Sequence, residues 1–325
     1  MIDYSVEDSK RILVHVRTNQ SCICITGPTA CGKTELALQL AEEFPIEIIS
    51  MDSAMVYRGM NIGTAKPPQK LRKHITHHLI DIVEPTDTYS AGRFVADATA
   101  CLCSIRQRNR IPLIVGGTLL YLRALRDGLA ELPGRNLEVR KRLDQEAEAV
   151  GWSELHNRLL SIDPDSAVRI APTDRQRIQR ALEVHEITGK TLTSLYQKEA
   201  SQLKTPINAL ALVPEDRGEL SNRIEQRFDD MVAEGFTEEV ESLRARGDLS
   251  PTTTAMRAVG YRQIWSYLDG KYDWRETRTK AIVATRQLAK RQMTWLRADS
   301  KIKKLPMQFD SAIRTIRKEL IDPLN

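Results

Sequence analysis

Residues 27–34 have the types and spacing of a phosphate-binding loop, because Gly-Pro-Thr-Ala-Cys-Gly-Lys-Thr matches the pattern G-x-x-x-x-G-K-[ST]. In such a loop successive backbone N–H groups point at phosphate oxygens, and the lysine adds a positive charge. The hydroxyl of the last residue can hold Mg²⁺. The predicted polyphosphate site consists of Gly27, Pro28, Thr29, Ala30, Cys31, Gly32, Lys33 and Thr34.

An acidic residue, Asp52, follows the apolar segment 46–50. Doubly wound sheets bind ligands beyond the carboxyl ends of their strands, so this carboxylate can face a ligand on the phosphate loop. Asp52 can hold magnesium or act as a general base; the simpler alternative is that it caps a helix. A kinase usually carries a metal-binding Asp after an apolar strand, whereas the segment 111–115 is followed by Gly-Gly-Thr.

Basic residues are concentrated near the C-terminus. Between Arg257 and Lys304 there are 13 Lys and Arg against 4 Asp and Glu, while the whole chain carries a net charge of +5. This distribution favours a polyanionic partner, although a solvated helix surface has the same composition. The three basic groups are Arg286, Lys290 and Arg297 on one helical face, Arg175, Arg177 and Arg180, and Arg257 and Arg262 with Tyr261, whose ring can stack on a base.

The composition is that of a globular protein. With 325 residues the chain is long enough for two lobes. No run of 18 apolar residues exists and the N-terminus has acids early, so we expect a soluble cytoplasmic protein without a signal peptide. The five cysteines lack zinc spacing and are expected to be reduced core thiols.

Strands and helices alternate in the first part of the chain. A helix is predicted after the phosphate loop, and another begins at the cap residue Ser90. Strands are predicted at 21–26, 46–50, 77–83, 111–115 and 207–213. This alternation predicts an α/β fold with a doubly wound, mostly parallel sheet of the P-loop NTPase type.

Helices alone are predicted between about 131 and 200 and again after 213. Three divisions follow. Residues 1–130 form the first part of the α/β core, 131–200 an inserted helical lobe, and 201–325 the rest of the core with basic helices.

Seven segments resemble, in the same order, the bacterial tRNA dimethylallyltransferase (tRNA isopentenyltransferase) family. Besides the phosphate loop they are MDSAMVYRGMNIGTAKP at 51–67, HHLID at 77–81, VGGTLLY at 115–121, QRIQRALEV at 176–184, RAVGYRQ at 257–263 and TRQLAKRQMTW at 285–295. The resemblance runs from about 21 to about 300. Met55 and Leu119 depart from it, since many relatives have Gln and Gly there, and a Met cannot donate the hydrogen bonds of a Gln.

The resemblance implies an activity. A dimethylallyl group moves from dimethylallyl diphosphate to the N6 amine of the adenosine 3′-adjacent to the anticodon, in tRNAs that read codons beginning with U. Diphosphate is released, and Mg²⁺ is the implied cofactor. The implied catalytic residues are Asp52 as base, Arg227 as a diphosphate ligand and Thr34.

The resemblance also implies which residues contact tRNA. They are Asp52, Ser53, Ala54, Met55, Thr118, Arg140, Gln176, Arg177, Ile178, Gln179, Arg180, Arg257, Ala258, Val259, Gly260, Tyr261, Arg262, Lys290, Arg291, Gln292, Met293, Thr294, Trp295, Leu296 and Arg297. The helical lobe would close over the RNA, and we expect a monomer. Two other functions stay open: a small-molecule kinase that turns over ATP without RNA, and a non-catalytic RNA-binding module.

Overall fold

The computed structural model describes residues 22–130, 132–198 and 206–321. Ser21, the first residue of the first predicted strand, and the N-terminal segment judged for a signal peptide lie outside these residues. The described residues fall into two compact units. The first unit contains those up to Arg126 and those after residue 204, and the second contains those from Asp127 to residue 204.

A six-stranded sheet is the centre of the first unit. Its strands are β1 (Cys22–Thr26), β2 (Ile46–Ser50), β3 (His77–His78), β4 (Ile111–Val115), β5 (Ile207–Val213) and β6 (Ile302–Pro306). The order is β3-β2-β4-β1-β5-β6 and every neighbouring pair is parallel. The predicted fold class is therefore confirmed. The carboxyl ends of β1, β2 and β4 meet at one edge of the sheet.

Helices connect these strands. They are α1 (Lys33–Glu43), α2 (Gln69–His74), α3 (Ala91–Gln107), α4 (Leu119–Asp127), and, later in the chain, α10 (Arg217–Ala233), α11 (Phe236–Ala245), α12 (Tyr261–Leu268), α13 (Trp274–Ala298) and α14 (Phe309–Ile321). The start of α3 is confirmed, because the Ser90 hydroxyl accepts a hydrogen bond from the Arg93 N–H at 3.1 Å. Asp273 caps α13 in the same way, through the Glu276 N–H at 2.7 Å.

Alternate residues of β1 pack into two different apolar clusters, as expected for the two faces of a sheet. Cys22 and Cys24 lie in one cluster, and burial raises the pKa of the Cys22 thiol to about 12. All five cysteines are free, and Cys31 is also buried. The prediction of core thiols is wrong for Cys103, which is exposed on α3.

The second unit consists of helices. They are α5 (Leu137–Val150), α6 (Trp152–Ile162), α7 (Pro164–Arg169), α8 (Arg175–Thr188) and α9 (Leu192–Lys198). Their apolar faces meet in a separate cluster that contains Leu143, Leu159 and Leu182. The short helices α7 and α9 were not predicted individually, since six or seven residues are too few to show a helical period.

Two predictions of secondary structure are wrong. The strand expected at 77–83 has only two residues, because Leu79 and Asp81 adopt φ of 62° and 57° and so leave the extended conformation. The segment after 213 is not all helical, since β6 pairs with β5 at the edge of the sheet. Lys303 and Lys304 are exposed on that edge strand. Because of these two lysines, its sequence resembles a basic surface segment, and no strand was predicted there.

Within the part of the chain that the structure describes, no helix combines the length and the apolar character needed to cross a membrane.

Candidate active site

A cavity of about 530 Å³ lies in the first unit, beyond the carboxyl ends of the central strands. Its wall includes the side chains of Lys33, Thr34, Asp52 and Arg227. The four residues that the sequence assigned to diphosphate binding and catalysis therefore face one space, although they come from three separate parts of the chain.

The phosphate loop follows β1 and leads into α1, as the motif requires. Gly27 has φ of 145°, and a Cβ there would lie 2.5 Å from the Leu212 carbonyl oxygen, so only glycine fits. The ammonium of Lys33 donates to the carbonyl oxygens of Gly27 at 3.1 Å and Pro28 at 2.6 Å. The lysine is thus folded over its own loop. The hydroxyl-bearing Thr34 is exposed at the cavity.

Asp52 follows β2 and forms a local turn. Its Oδ1 accepts hydrogen bonds from the N–H groups of Ala54 at 2.8 Å and Met55 at 3.2 Å. The simpler alternative, a helix cap, is wrong, because residues 53–56 form a turn and the next helix begins only at Gln69. Among the described residues no donor is bonded to Oδ2, so the second oxygen can act on a ligand.

Arg227 lies on α10 and faces the same cavity. Burial lowers the pKa of its guanidinium, while the negative charge of Asp52 acts in the opposite direction. An arginine stays charged through such a shift. Its guanidinium has neither a hydrogen-bond acceptor nor an ion-pair partner in the described part of the protein. A partly buried cation without a partner is unfavourable on its own and favours an anion in the cavity.

Comparison with known proteins identifies the family of the chain. A family model described as IPP transferase matches residues 55–299. The chain belongs to this family. It is 54% identical to a tRNA dimethylallyltransferase of Alkalilimnicola ehrlichii over 85% of this chain and 87% of that protein. It is 49% identical to one of Ralstonia nicotianae over 94% of this chain and 98% of that protein.

Solved structures give a matching result. The tRNA isopentenylpyrophosphate transferase of Bacillus halodurans superimposes with a TM-score of 0.67 at 33% identity, covering 94% of this chain and 96% of that one. A eukaryotic dimethylallyltransferase described as acting on tRNA gives 0.76 at 29% identity, covering 92% of this chain and 78% of that one. The predicted membership of the tRNA dimethylallyltransferase family is confirmed.

Many of the tRNA contacts expected for an IPP transferase line the cavity. They are Asp52, Ser53, Ala54, Met55, Thr118, Arg257, Ala258, Val259, Gly260, Tyr261, Arg291, Gln292 and Trp295. Outside it, the side chains of Arg262, Lys290, Thr294 and Arg297 are exposed. The departing residue Met55 accepts a weak hydrogen bond from the Ser50 hydroxyl at 3.7 Å, and Leu119 is buried at the cavity wall.

Three of the expected contacts point into the protein. Tyr261, Leu296 and Ile178 have no solvent-exposed surface, although Tyr261 also borders the cavity. The interpretation that the Tyr261 ring stacks on a base is therefore wrong. Its hydroxyl instead donates to Glu239 at 2.6 Å. The error arises because a motif covers whole helical turns, whereas only one side of a helix faces outward.

Arg140 and its neighbours have partners inside the helical unit. Arg140 donates two hydrogen bonds to the completely buried Glu183, both at 2.8 Å, and Arg180 donates a third at 2.7 Å. Gln179 donates to Asp144 at 2.7 Å. Gln176 and Arg177 are exposed, although Arg177 lies 3.4 Å from Asp174. Arg140 and Arg180 are thus engaged in stabilising the unit.

One functional position was missed. The Glu239 carboxylate on α11 accepts from the N–H groups of Asn61 and Ile62, both at 2.8 Å, as well as from Tyr261. It thereby holds the segment that carries Gly63 and Thr64, which line the cavity. In the sequence Glu239 is one of several acids on an amphipathic helix, and nothing there distinguishes it.

Proposed function

We propose that this chain transfers a dimethylallyl group from dimethylallyl diphosphate to the N6 amine of the adenosine 3′-adjacent to the anticodon of tRNA. The tRNAs would be those that read codons beginning with U. One observation carries the proposal: a phosphate loop, a carboxylate and an arginine that has no ionic partner among the described residues line a single cavity. The membership in the IPP transferase family and the named relatives support the same reaction.

On the donor side, the phosphate loop and Arg227 receive the diphosphate. The loop N–H groups and the start of α1 offer donors to its oxygens. Lys33 exchanges its bonds to the Gly27 and Pro28 carbonyls for bonds to phosphate. As the bond between carbon and oxygen breaks, negative charge grows on the leaving diphosphate. The fixed positive charge of Arg227 stabilises that change.

On the acceptor side, Asp52 removes a proton. The adenine amine is a weak nucleophile because its lone pair is delocalised, and it loses a proton as its nitrogen bonds to the allylic carbon. Oδ2 of Asp52 takes this proton. The two N–H groups that hold Oδ1 fix the carboxylate in place and keep its free oxygen in the cavity.

Magnesium fits this arrangement. Mg²⁺ commonly uses one or two protein oxygens together with substrate phosphates. Thr34 offers such an oxygen at the cavity, while no group of three or more metal-binding acids, histidines or cysteines exists within the described ranges. When bound, the ion would neutralise charge on the diphosphate.

RNA is recognised by the exposed basic residues around the cavity. Arg257, Arg262, Lys290, Arg291 and Arg297 are exposed and have no ionic partner among the residues described. Their phosphate contacts would offset the few kcal/mol needed to extrude the target base. We further propose that the enzyme acts in the cytoplasm, as a monomer.

The test is a product assay. The purified chain, dimethylallyl diphosphate and Mg²⁺ are incubated with an anticodon stem-loop that has adenosine at the target position, and nucleosides are analysed by mass spectrometry. We expect isopentenyl-adenosine, and no product from a stem-loop with guanosine there. ATP turnover without RNA, or an unmodified adenosine stem-loop at saturating substrate, would contradict the proposal.

A further inference from the structure

One side chain joins two loops that line the cavity. Gln292 of α13 accepts a hydrogen bond at Oε1 from the Thr29 N–H at 2.9 Å, and its Nε2 donates to the Gly117 carbonyl at 3.0 Å. Thr29 belongs to the phosphate loop, whereas Gly117 follows β4. Both polar atoms of the Gln292 amide are therefore occupied inside the protein, although the family resemblance makes this residue an RNA contact.

The connection continues to Asp52. Thr118, next to Gly117, accepts a hydrogen bond from the Ser53 N–H at 3.1 Å. Gly116 packs so closely on the segment before Asp52 that a Cβ there would collide with the Met51 carbonyl. A continuous path of contacts thus runs from the phosphate loop through Gln292 to the turn that holds the catalytic carboxylate.

The chemistry of the two partners requires an amide. The Thr29 N–H can only donate and the Gly117 carbonyl can only accept, so the bridging side chain must offer one acceptor and one donor. An ionised Glu cannot donate, and a Met of similar length cannot donate and accepts only weakly through its sulfur. The same helix presents exposed Lys290 and Arg291, which directly precede Gln292, to the solvent.

We propose that Gln292 is a positioning residue that couples the binding of RNA on α13 to the binding of diphosphate on the phosphate loop. Bound RNA restrains α13 and thereby fixes the position of the Gln292 amide. The amide in turn holds Thr29 and Gly117 in the geometry that binds diphosphate. Such coupling is reciprocal, so diphosphate also strengthens RNA binding. This rests on the proposed function, since it requires that 27–34 bind diphosphate.

The test uses Q292M with Q287M as a matched control. Gln287 is exposed on the same helix and does not line the cavity. Affinity for inorganic pyrophosphate is measured by calorimetry, with and without the anticodon stem-loop, together with the melting temperature. We expect Q292M to weaken pyrophosphate binding about tenfold, the scale of two lost hydrogen bonds, and to abolish the gain produced by RNA. RNA affinity without pyrophosphate should stay within about twofold. Q287M should match the wild type.

A second variant, G117A, alters the Gly117 side of the hydrogen bond between Gln292 and Gly117. A Cβ at Gly117 would lie 2.5 Å from the Gln292 nitrogen, so G117A displaces the amide even if Q292M fails to fold. We expect G117A to weaken pyrophosphate binding by a similar factor, and to add little in the Q292M background.

Other results overturn the proposal. They are additive effects of the two variants, wild-type pyrophosphate binding by Q292M, or a loss of RNA affinity alone, as for a plain RNA contact. If the wild-type chain binds no pyrophosphate, the proposed function fails instead.

Discussion

Arg227 and Arg140 were both assigned to substrate binding from the same resemblance, yet only Arg140 has an ion-pair partner among the described residues. Arg227 faces the cavity of the first unit without an acceptor among the described residues. Arg140, in the helical unit, donates two hydrogen bonds of 2.8 Å to Glu183. A charge that has no internal partner is available to a ligand, whereas a paired charge holds its own fold together.

The carboxylates of the two regions differ in the same way. Asp52 uses one oxygen to hold its turn and leaves the other free. Glu183 is completely buried, and both of its oxygens accept hydrogen bonds. Burial alone would raise the pKa of Glu183, but the bonds from Arg140, Arg180 and the Asn136 N–H outweigh it and lower the pKa to about 2. Substitutions should therefore affect chemistry in one region and stability in the other.

The largest expected effect is that of Asp52→Asn. An amide at this position is isosteric and cannot accept the amine proton, so the single-turnover rate should fall by about 100-fold or more, the scale of a lost general base. Binding of the stem-loop should change little, which fluorescence anisotropy would measure. A rate close to that of the wild type would show that Asp52 is not the general base. The contrast between Asp52 and Glu183 would then not hold.

Arg227→Met should come next. We expect KM for dimethylallyl diphosphate to rise and kcat to fall, together lowering kcat/KM by about 100-fold, because one strong charge-assisted contact is lost. The melting temperature should not decrease, since the guanidinium has no hydrogen-bond or ion-pair partner among the residues that the structure describes. Arg223→Met on the same helix removes an exposed arginine paired with Glu219 at 2.9 Å and should leave the kinetics unchanged. A destabilised Arg227→Met protein with normal kinetics would refute the distinction.

Lowering the pH should destabilise the helical unit, because Glu183 becomes protonated. Its folded-state pKa of about 2 lies below the ordinary value of 4.5, so the stabilisation is complete above pH 4.5 and is lost as the pH falls toward 2. It amounts to roughly 3 kcal/mol. Hydrogen exchange of helices α5 to α8 at pH 6 and pH 3 measures it. Glu183→Gln should be less stable at pH 6 and lose less stability on acidification, so an unchanged pH dependence would contradict the assignment.

The smallest effect separates two basic residues of α13. Lys290 is exposed without an ionic partner among the described residues, whereas Arg286 is paired with Glu225 at 3.0 Å. Lys290→Met should weaken stem-loop binding about threefold to tenfold at low salt and reduce the salt dependence by about one phosphate contact. Arg286→Met should weaken stem-loop binding less than Lys290→Met does. Equal effects would show that pairing in the free protein does not predict RNA contact.

The sequence predicted the parts of this molecule that depend on local pattern. The phosphate loop, the strands β1, β2, β4 and β5, and the start of α3 at Ser90 follow from spacing, periodicity and capping. Other features depend on distant neighbours. Whether Tyr261 is buried, and whether Arg140 meets Glu183, is decided by packing between separate helices. No single segment contains that information, and this is why motif ranges overstate the number of contacting residues.

The central claim is that Arg227, which has no ionic partner among the described residues, binds the diphosphate, and that Asp52 accepts a proton in the same cavity. A crystal structure of the chain with bound pyrophosphate and stem-loop RNA tests it most directly. We expect the guanidinium of Arg227 within about 3 Å of a pyrophosphate oxygen and an adenine amine at similar distance from Asp52. Pyrophosphate away from residues 27–34, or Arg227 paired with Asp52 instead of the ligand, would contradict the account.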